Sequence, residues 1–287
     1  MDRSSADNHR REILEEAEAK HPGFNATITD EDILIHALEI KTTSFCTLQC
    51  RDCTHLIPYS RHPKHVPAEN IVHNLKKILT VSRIGGLILL GGEIFIYPYL
   101  SELIEGYRQL NLNDKVGFIR VTTNATVVPS DEFCEIFKSF ENGYVFISDY
   151  GELSVKKQET IDKLRSFGIR VELGDTDLEW KDMGGIERRD YSEEEVKQLF
   201  NVCHGSIYLH LYGDHLYHCY RAPILNDDGL APHKVSDYLD LANIEAAEFN
   251  KKLYAYINEK PYMESCYYCD GFHPGSSIIP KAVQLNA

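Results

Sequence analysis

The sequence predicts an α/β fold: a parallel sheet with helices between its strands, followed by a smaller module rich in cysteine. Two observations lead there. Over residues 38–175, short apolar runs alternate with amphipathic stretches, the pattern of β-α units. From residue 176 on that alternation stops, and turn and hairpin signals replace it.

Residues 1–35 read as a polar, helical lead-in. "ALEIKTTSF" is the first strand and ends at Cys46. "AENIVHNLKKILTVSRIG", residues 68–85, places apolar side chains at 71, 72, 75, 78 and 79 and predicts a helix. "LILLGGE" is a short apolar run closed by glycines, as a strand buried on both faces would be. "PYLSELIEGYRQL" is helical and "VGFIRVTTN" a strand. "PSDEFCEIFKSF" opens with a helix-start signal and puts Phe133, Phe137 and Phe140 on one stripe. "YVFISDYG" is a strand, "SVKKQETIDKLRSFGI" a helix, and "RVELGD" the fifth strand. Helices alternating with buried strands imply a parallel sheet, open or closed as a barrel. In such folds reactive groups lie past the C-terminal ends of the strands. Cys46, Gly91-Gly92-Glu93, Thr123-Asn124 and Ser148-Asp149-Tyr150 all fall there, so a single rim and a single site are expected.

Past that sheet, "LEWKDMGG" (178–185) reads as a joining loop and "SEEEVKQLF" as a short helix capped by Ser192. "SIYLHLYGDHLYHCY" alternates on both sides of Gly213-Asp214, a hairpin signal. One further helix, "IEAAEFNKKLYAYINEK", precedes "CYYCDG".

Composition narrows the function classes. A formal charge of −14 over 287 residues disfavours nucleic acid and anionic membrane surfaces. No apolar run is long enough to span a bilayer, and the first twenty residues lack the apolar core of a secretory signal, so a cytoplasmic protein is expected. In that compartment eight cysteines point to metal ligation rather than disulfides.

Seven of those cysteines form two sets. Cys46, Cys50 and Cys53 are spaced C-x3-C-x2-C, and Cys203, Cys219, Cys266 and Cys269 are spaced C-x15-C…C-x2-C. Three thiolates can hold three irons of a [4Fe–4S] cluster and leave the fourth iron open. Zinc is the competing reading: His55 could complete a four-ligand site, and C-x2-C pairs are common around structural zinc. Cys134 lies beside the phenylalanine stripe and is expected to be a buried structural thiol.

On "CTLQCRDC", "GGE" and the strand-end residues, the sequence resembles the radical S-adenosylmethionine (radical SAM) superfamily over about residues 38–175. The resemblance implies a partial (β/α)6-type radical SAM barrel. Cys46, Cys50 and Cys53 would hold a [4Fe–4S] cluster whose open iron is chelated by S-adenosylmethionine. Gly91, Gly92 and Glu93 would hold the methionine ammonium, and Thr123, Asn124, Ser148 and Asp149 the carboxylate or ribose. Asp52 stands where the family usually has an aromatic residue near the adenine, a departure that bears on the adenine environment. The second cysteine set resembles the "twitch" module, the shortened SPASM domain, which implies a β-hairpin/helix unit with an auxiliary [4Fe–4S] cluster on Cys203, Cys219, Cys266 and Cys269. The domains are then 1–35 (lead-in), 36–180 (partial barrel) and 181–287 (twitch-like module).

The activity implied is reductive cleavage of S-adenosylmethionine to a 5′-deoxyadenosyl radical that takes hydrogen from a small polar substrate. Relatives with this layout include dehydrogenases of aminocyclitols and sugars. Oxidation of a hydroxyl, with the auxiliary cluster as electron acceptor, is the leading expectation. An electron donor such as flavodoxin or ferredoxin is the implied partner. Tyr150 and Arg221 are the substrate-site candidates. The alternatives are a sugar epimerase with a non-cysteine hydrogen donor, a peptide-modifying enzyme of the SPASM type, and a non-catalytic zinc or iron–sulfur protein.

Overall fold

The computed structural model describes residues 4–112, 114–175, 179–232 and 234–285. The first three residues of the lead-in and Leu178, at the start of the expected joining loop, lie outside them. Two compact units are present. One comprises Ile13–Leu48 and Pro63–Leu178; the other comprises Met1–Glu12, Gln49–His62 and Glu179–Ala287. The boundaries read from sequence run linearly, whereas these units interleave. The cysteine loop changes unit between Leu48 and Gln49.

The chain opens with helix α1 (Ser4–Lys20). The first unit is then built on five strands: β1 (Ile33–Lys41), β2 (Ser82–Leu90), β3 (Val116–Thr123), β4 (Gly143–Ile147) and β5 (Arg170–Leu173). They lie in the order β5-β4-β3-β2-β1, and every neighbouring pair is parallel. Between consecutive strands run α2 (Ala68–Leu79), α3 (Leu100–Leu110), α4 (Asp131–Phe137) and α5 (Lys157–Ser166). The α/β class with a mostly parallel sheet is as the sequence predicts. β2 is almost wholly buried, which is why it reads as a continuous apolar run rather than an alternating one.

Two boundaries differ from those expected. The stretch 68–85 is not one helix: α2 stops at Leu79 and β2 begins at Ser82. Gly85 and Gly86 are poor helix formers. Gly86 lies under the Phe118 ring, where an added Cβ would stand 2.4 Å from the ring edge. The first strand starts at Ile33 and ends at Lys41, so Thr42–Phe45 belong to the rim rather than to the strand. Thr42 still extends the ladder, its N–H donating to the Leu90 carbonyl at 2.9 Å.

Glycines also seat the second half of α1 on this sheet. A Cβ on Gly117 would meet the Ala17 Cβ at 2.4 Å and the Gly85 carbonyl oxygen at 2.6 Å. Beside that contact the Tyr144 hydroxyl donates to the Glu16 carboxylate at 2.7 Å.

In the other unit the expected hairpin is β7 (Tyr208–Tyr212) and β8 (His215–Tyr217), turning at Gly213 with φ of 62°. That backbone conformation favours glycine. The expected helices are α6 (Glu193–Val202), with a Ser192/Glu195 capping box, and α8 (Ala246–Glu259). Sequence periodicity missed β6 (Trp180–Lys181), α7 (Ala222–Asp227), β9 (Tyr238–Asp240) and β10 (Ile278–Ile279). All are too short to show a period. The 178–185 stretch is thus not all loop, since β6 pairs antiparallel with β10, while β9 pairs antiparallel with β8. No helix among the described residues is long and apolar enough to cross a membrane.

The tight seat of α1 generates a stability test. Gly117→Ala forces a methyl against backbone that cannot rotate away, so it should destabilise the protein by about 1–3 kcal/mol. A urea melt reads this directly, and an unchanged midpoint would refute the packing account.

Candidate functional site

At the C-terminal rim of the parallel sheet, backbone hydrogen bonds draw the start of the cysteine loop to the glycine turn. Gly92 N–H donates to the Thr43 carbonyl at 2.8 Å and Glu93 N–H to the Phe45 carbonyl at 3.0 Å. The approach is so close that a Cβ on Gly92 would stand 2.0 Å from the Phe45 oxygen. On Gly91 it would stand 2.8 Å from the Thr43 oxygen. Both glycines are therefore required by backbone contact, before any ligand is considered.

Glu93 is fully buried. Its carboxylate accepts from Phe95 N–H at 3.0 Å, the Thr123 hydroxyl at 2.7 Å and Asn124 N–H at 2.8 Å. Burial pushes its pKa up, and the three donors pull the other way. The Asn124 side chain carries the network to the cysteine loop: its amide nitrogen lies 3.7 Å from the Cys46 sulfur and 3.2 Å from the Thr47 hydroxyl. Its amide oxygen accepts from Thr126 N–H at 3.0 Å. Next along the rim, Ser148 N–H donates to the Thr123 carbonyl at 2.8 Å. Asp149 is buried, accepts from Gly151 N–H and pairs with Lys157 at 2.7 Å. Tyr150 follows, half-buried. Cys46, Gly91, Gly92, Glu93, Thr123 and Asn124 thus form one connected network, while the Asp149 charge is answered locally.

Cys50 and Cys53 belong to the other unit. Cys50 is buried, which pushes its thiol up to about 11, and Gln284 donates to its sulfur at 3.3 Å. Cys53 N–H donates to the Cys50 carbonyl at 3.2 Å. Asp52 pairs with Arg51 at 2.8 Å. Asp52 and Cys53 line a pocket of about 320 Å³ whose wall includes Tyr59, Gly184, Gly185 and Arg221. Arg221 is buried and donates to the carbonyls of Gly184 at 3.2 Å and Gly185 at 2.8 Å. Its Nε has no hydrogen-bond partner among the described residues.

Arg221 also borders a second pocket of about 380 Å³, and Cys203, Cys219, Cys266 and Cys269 all line it. The elements explain the convergence: Cys203 caps the end of α6, Cys219 follows β8, Cys266 lies within the short turn Glu264–Tyr268, and Cys269 directly follows that turn. Burial pushes Cys219 up to about 12, and it pushes Cys203 and Cys266 up as well, with the neighbouring thiolates adding to the effect. Three sulfurs accept backbone N–H groups: Cys269 from Gly271 at 3.3 Å, Cys203 from Phe272 at 3.4 Å and Cys219 from Arg221 at 3.3 Å.

Bound metal deprotonates such thiols, and N–H donors stabilise the sulfur charge. A four-thiolate donor set with these bonds therefore suits a closed iron–sulfur cluster. Among the described residues no three His, Cys, Asp or Glu side chains come together so that they could hold one metal ion. A four-iron cluster places its thiolates on separate irons and needs no such common point.

Two supports were missed from sequence. Asp237, almost fully buried, accepts from Glu264 N–H at 2.6 Å and Ser265 N–H at 2.8 Å, so it braces the turn into Cys266. Arg189 pairs with Asp270, directly after Cys269, at 2.9 Å. Neither has a local motif, because their partners lie far away in sequence. Cys134 is fully buried beside Phe133 and Phe137, as expected.

The family model of the Radical SAM superfamily matches residues 40–148, a stretch holding the three-cysteine loop, Gly91–Glu93, Thr123, Asn124 and Ser148. No curated protein matches the chain. Among solved structures it resembles BtrN in complex with AdoMet and 2-DOIA, at a TM-score of 0.52 and 11% identity, over 86% of this chain and 100% of that one. Streptococcus suis SuiB bound to precursor peptide SuiA matches at a TM-score of 0.40 and 19% identity, over 55% of this chain and 36% of that one. Native anSMEcpe with bound AdoMet matches at 0.40 and 18%, over 49% of this chain and 43% of that one. The chain thus spans at most half of the SuiB and anSMEcpe chains. The BtrN likeness is one of fold, and it agrees with the mostly parallel α/β sheet of a partial radical SAM barrel.

The Glu93 network is testable without any cofactor. Thr123→Val removes one donor from a buried carboxylate and should lower unfolding free energy by about 1–3 kcal/mol. A Thr123→Ser variant, which keeps the donor, should recover most of that loss in the same urea titration.

Proposed function

We propose that this chain is a radical SAM enzyme with a second, fully ligated cluster, and that it oxidises a hydroxyl of a small polar, sugar- or aminocyclitol-like substrate. The observation that carries the reading is the bonding of the cysteine loop to Gly91–Glu93 and Asn124 at the strand-end rim. Bound S-adenosylmethionine would supply, on reductive cleavage, a 5′-deoxyadenosyl radical able to take a hydrogen atom.

The chain's own residues would then have separable tasks. Cys46, Cys50 and Cys53 hold the open cluster. The backbone of Gly91 and Gly92, with Glu93 behind it, receives the ammonium group. Because the Glu93 carboxylate already has three protein donors, it acts as a countercharge from within that network. Asn124 offers its side chain next to Cys46; Thr123, Ser148 and Asp149 supply further polar groups for carboxylate and ribose. Asp52 replaces an aromatic shelf with a charged rim on the pocket beside Cys53. Cys203, Cys219, Cys266 and Cys269 hold the auxiliary cluster, the proposed electron acceptor. Arg221 borders that pocket and the one beside Cys53, so its cation favours negative charge in either. Tyr150 and Arg221 are proposed to meet the substrate.

Oxidation is preferred to epimerisation for one reason. The thiol left outside both sets, Cys134, is sealed among phenylalanines and is poorly placed to return a hydrogen atom. A low-potential donor such as flavodoxin or ferredoxin would supply the reducing electron, in a cytoplasmic setting.

Anaerobic reconstitution tests the reading. About eight irons per chain are expected for two [4Fe–4S] clusters; zinc with little iron would sink it. The reduced protein should release 5′-deoxyadenosine, and Cys50→Ala should abolish that release. Cys266→Ala should keep the cleavage and lose substrate turnover. Solvent deuterium in the product would favour the epimerase alternative.

A further inference from the structure

The middle cysteine of the loop has a partner 234 residues away in sequence. Residues Cys50 and Gln284 form an isolated antiparallel bridge. Backbone bonds continue it on both sides: Arg51 N–H donates to the Val283 carbonyl at 2.7 Å, and Leu285 N–H donates to the Gln49 carbonyl at 2.8 Å. The Gln284 side chain lies along the loop and uses both ends of its amide. Its oxygen accepts from Gln49 N–H at 2.7 Å. Its nitrogen donates to the Cys50 sulfur at 3.3 Å and to the Ala282 carbonyl at 2.7 Å.

Such an arrangement needs an amide. A carboxylate of the same shape would keep the acceptor for Gln49 but would place negative charge against a thiolate and a carbonyl. An apolar side chain would leave Gln49 N–H without its acceptor. Hydrogen bonds to cluster sulfurs stabilise the extra electron of the reduced state and so raise the reduction potential. The short ladder fixes the backbone immediately before and after Cys50.

We propose that Gln284 is a positioning residue for the open cluster: the 282–285 segment straps the cysteine loop shut, and the Gln284 amide sets the charge on the Cys50 sulfur. This rests on the reading that Cys46, Cys50 and Cys53 hold that cluster.

The test uses the full-length protein, reconstituted anaerobically with both clusters. The open cluster is recognised by the change in its EPR signal when S-adenosylmethionine is added. Gln284→Leu and Gln284→Glu should each shift its midpoint potential to more negative values, with Glu the larger shift, while the auxiliary signal stays in place. Selective loss of the open cluster's iron in Gln284→Leu would support the strap equally. If Gln284→Leu fails to fold, Gln284→Glu decides. An unmoved potential and an unchanged signal in both variants would overturn the inference alone. A wild-type protein with no S-adenosylmethionine-sensitive signal would overturn the cluster reading beneath it.

Discussion

A carboxylate without solvent is the constraint on which the rim depends. Burying the charge of Glu93 is tolerable only if the protein replaces the lost water with donors. The three it recruits come from Phe95, Thr123 and Asn124. Meeting that demand sets where the ends of β2 and β3 stand relative to each other. The same turn donates its own N–H groups to Thr43 and Phe45, the residues that lead into Cys46. One buried anion thereby organises three strand ends. It also explains why glycine must stand at 91 and 92: any side chain there would push the turn off the backbone it bonds.

The two cysteine sets share a residue type but not an environment. Cys203, Cys219, Cys266 and Cys269 line one largely apolar pocket, and three of their sulfurs accept backbone N–H groups. Their position is held by Asp237 and by the Arg189–Asp270 pair. Two of those backbone donors, Arg221 and Gly271, come with the turn that carries the cysteine, whereas Cys203 takes its donor from Phe272, 69 residues away. In the loop set, Cys46 accepts a backbone N–H from Leu48 at 3.5 Å, and Cys46 and Cys50 each also have a side-chain amide as donor, from Asn124 and Gln284 respectively. Side-chain donors must be supplied from elsewhere, and a single substitution removes them, which leaves that loop open to tuning.

Much of this was legible in the chain itself. The β-α alternation shows because central parallel strands are buried on both faces and each helix has one buried stripe. The cysteine sets show because ligand spacing is local. What stayed hidden depends on distance or on shortness. β6 and β10 are two residues each and carry no period. Asp237 and Gln284 are ordinary polar residues until folding sets them against Ser265 and Cys50. Glu93 was recognisable by its motif, yet its three internal donors were not, since Thr123 and Asn124 suggested ligand contacts equally well. Gly85 reads with the preceding helix in the sequence because its role, making room for α1, is purely tertiary.

The ladder between Cys50 and Gln284 also imposes a timetable. A ribosome adding about 5–20 residues per second needs roughly 10–50 s to pass from one to the other. Throughout that interval the nascent loop already has all three of its thiols but lacks the segment that braces it. The loop can therefore take its braced form only once residue 285 has been made.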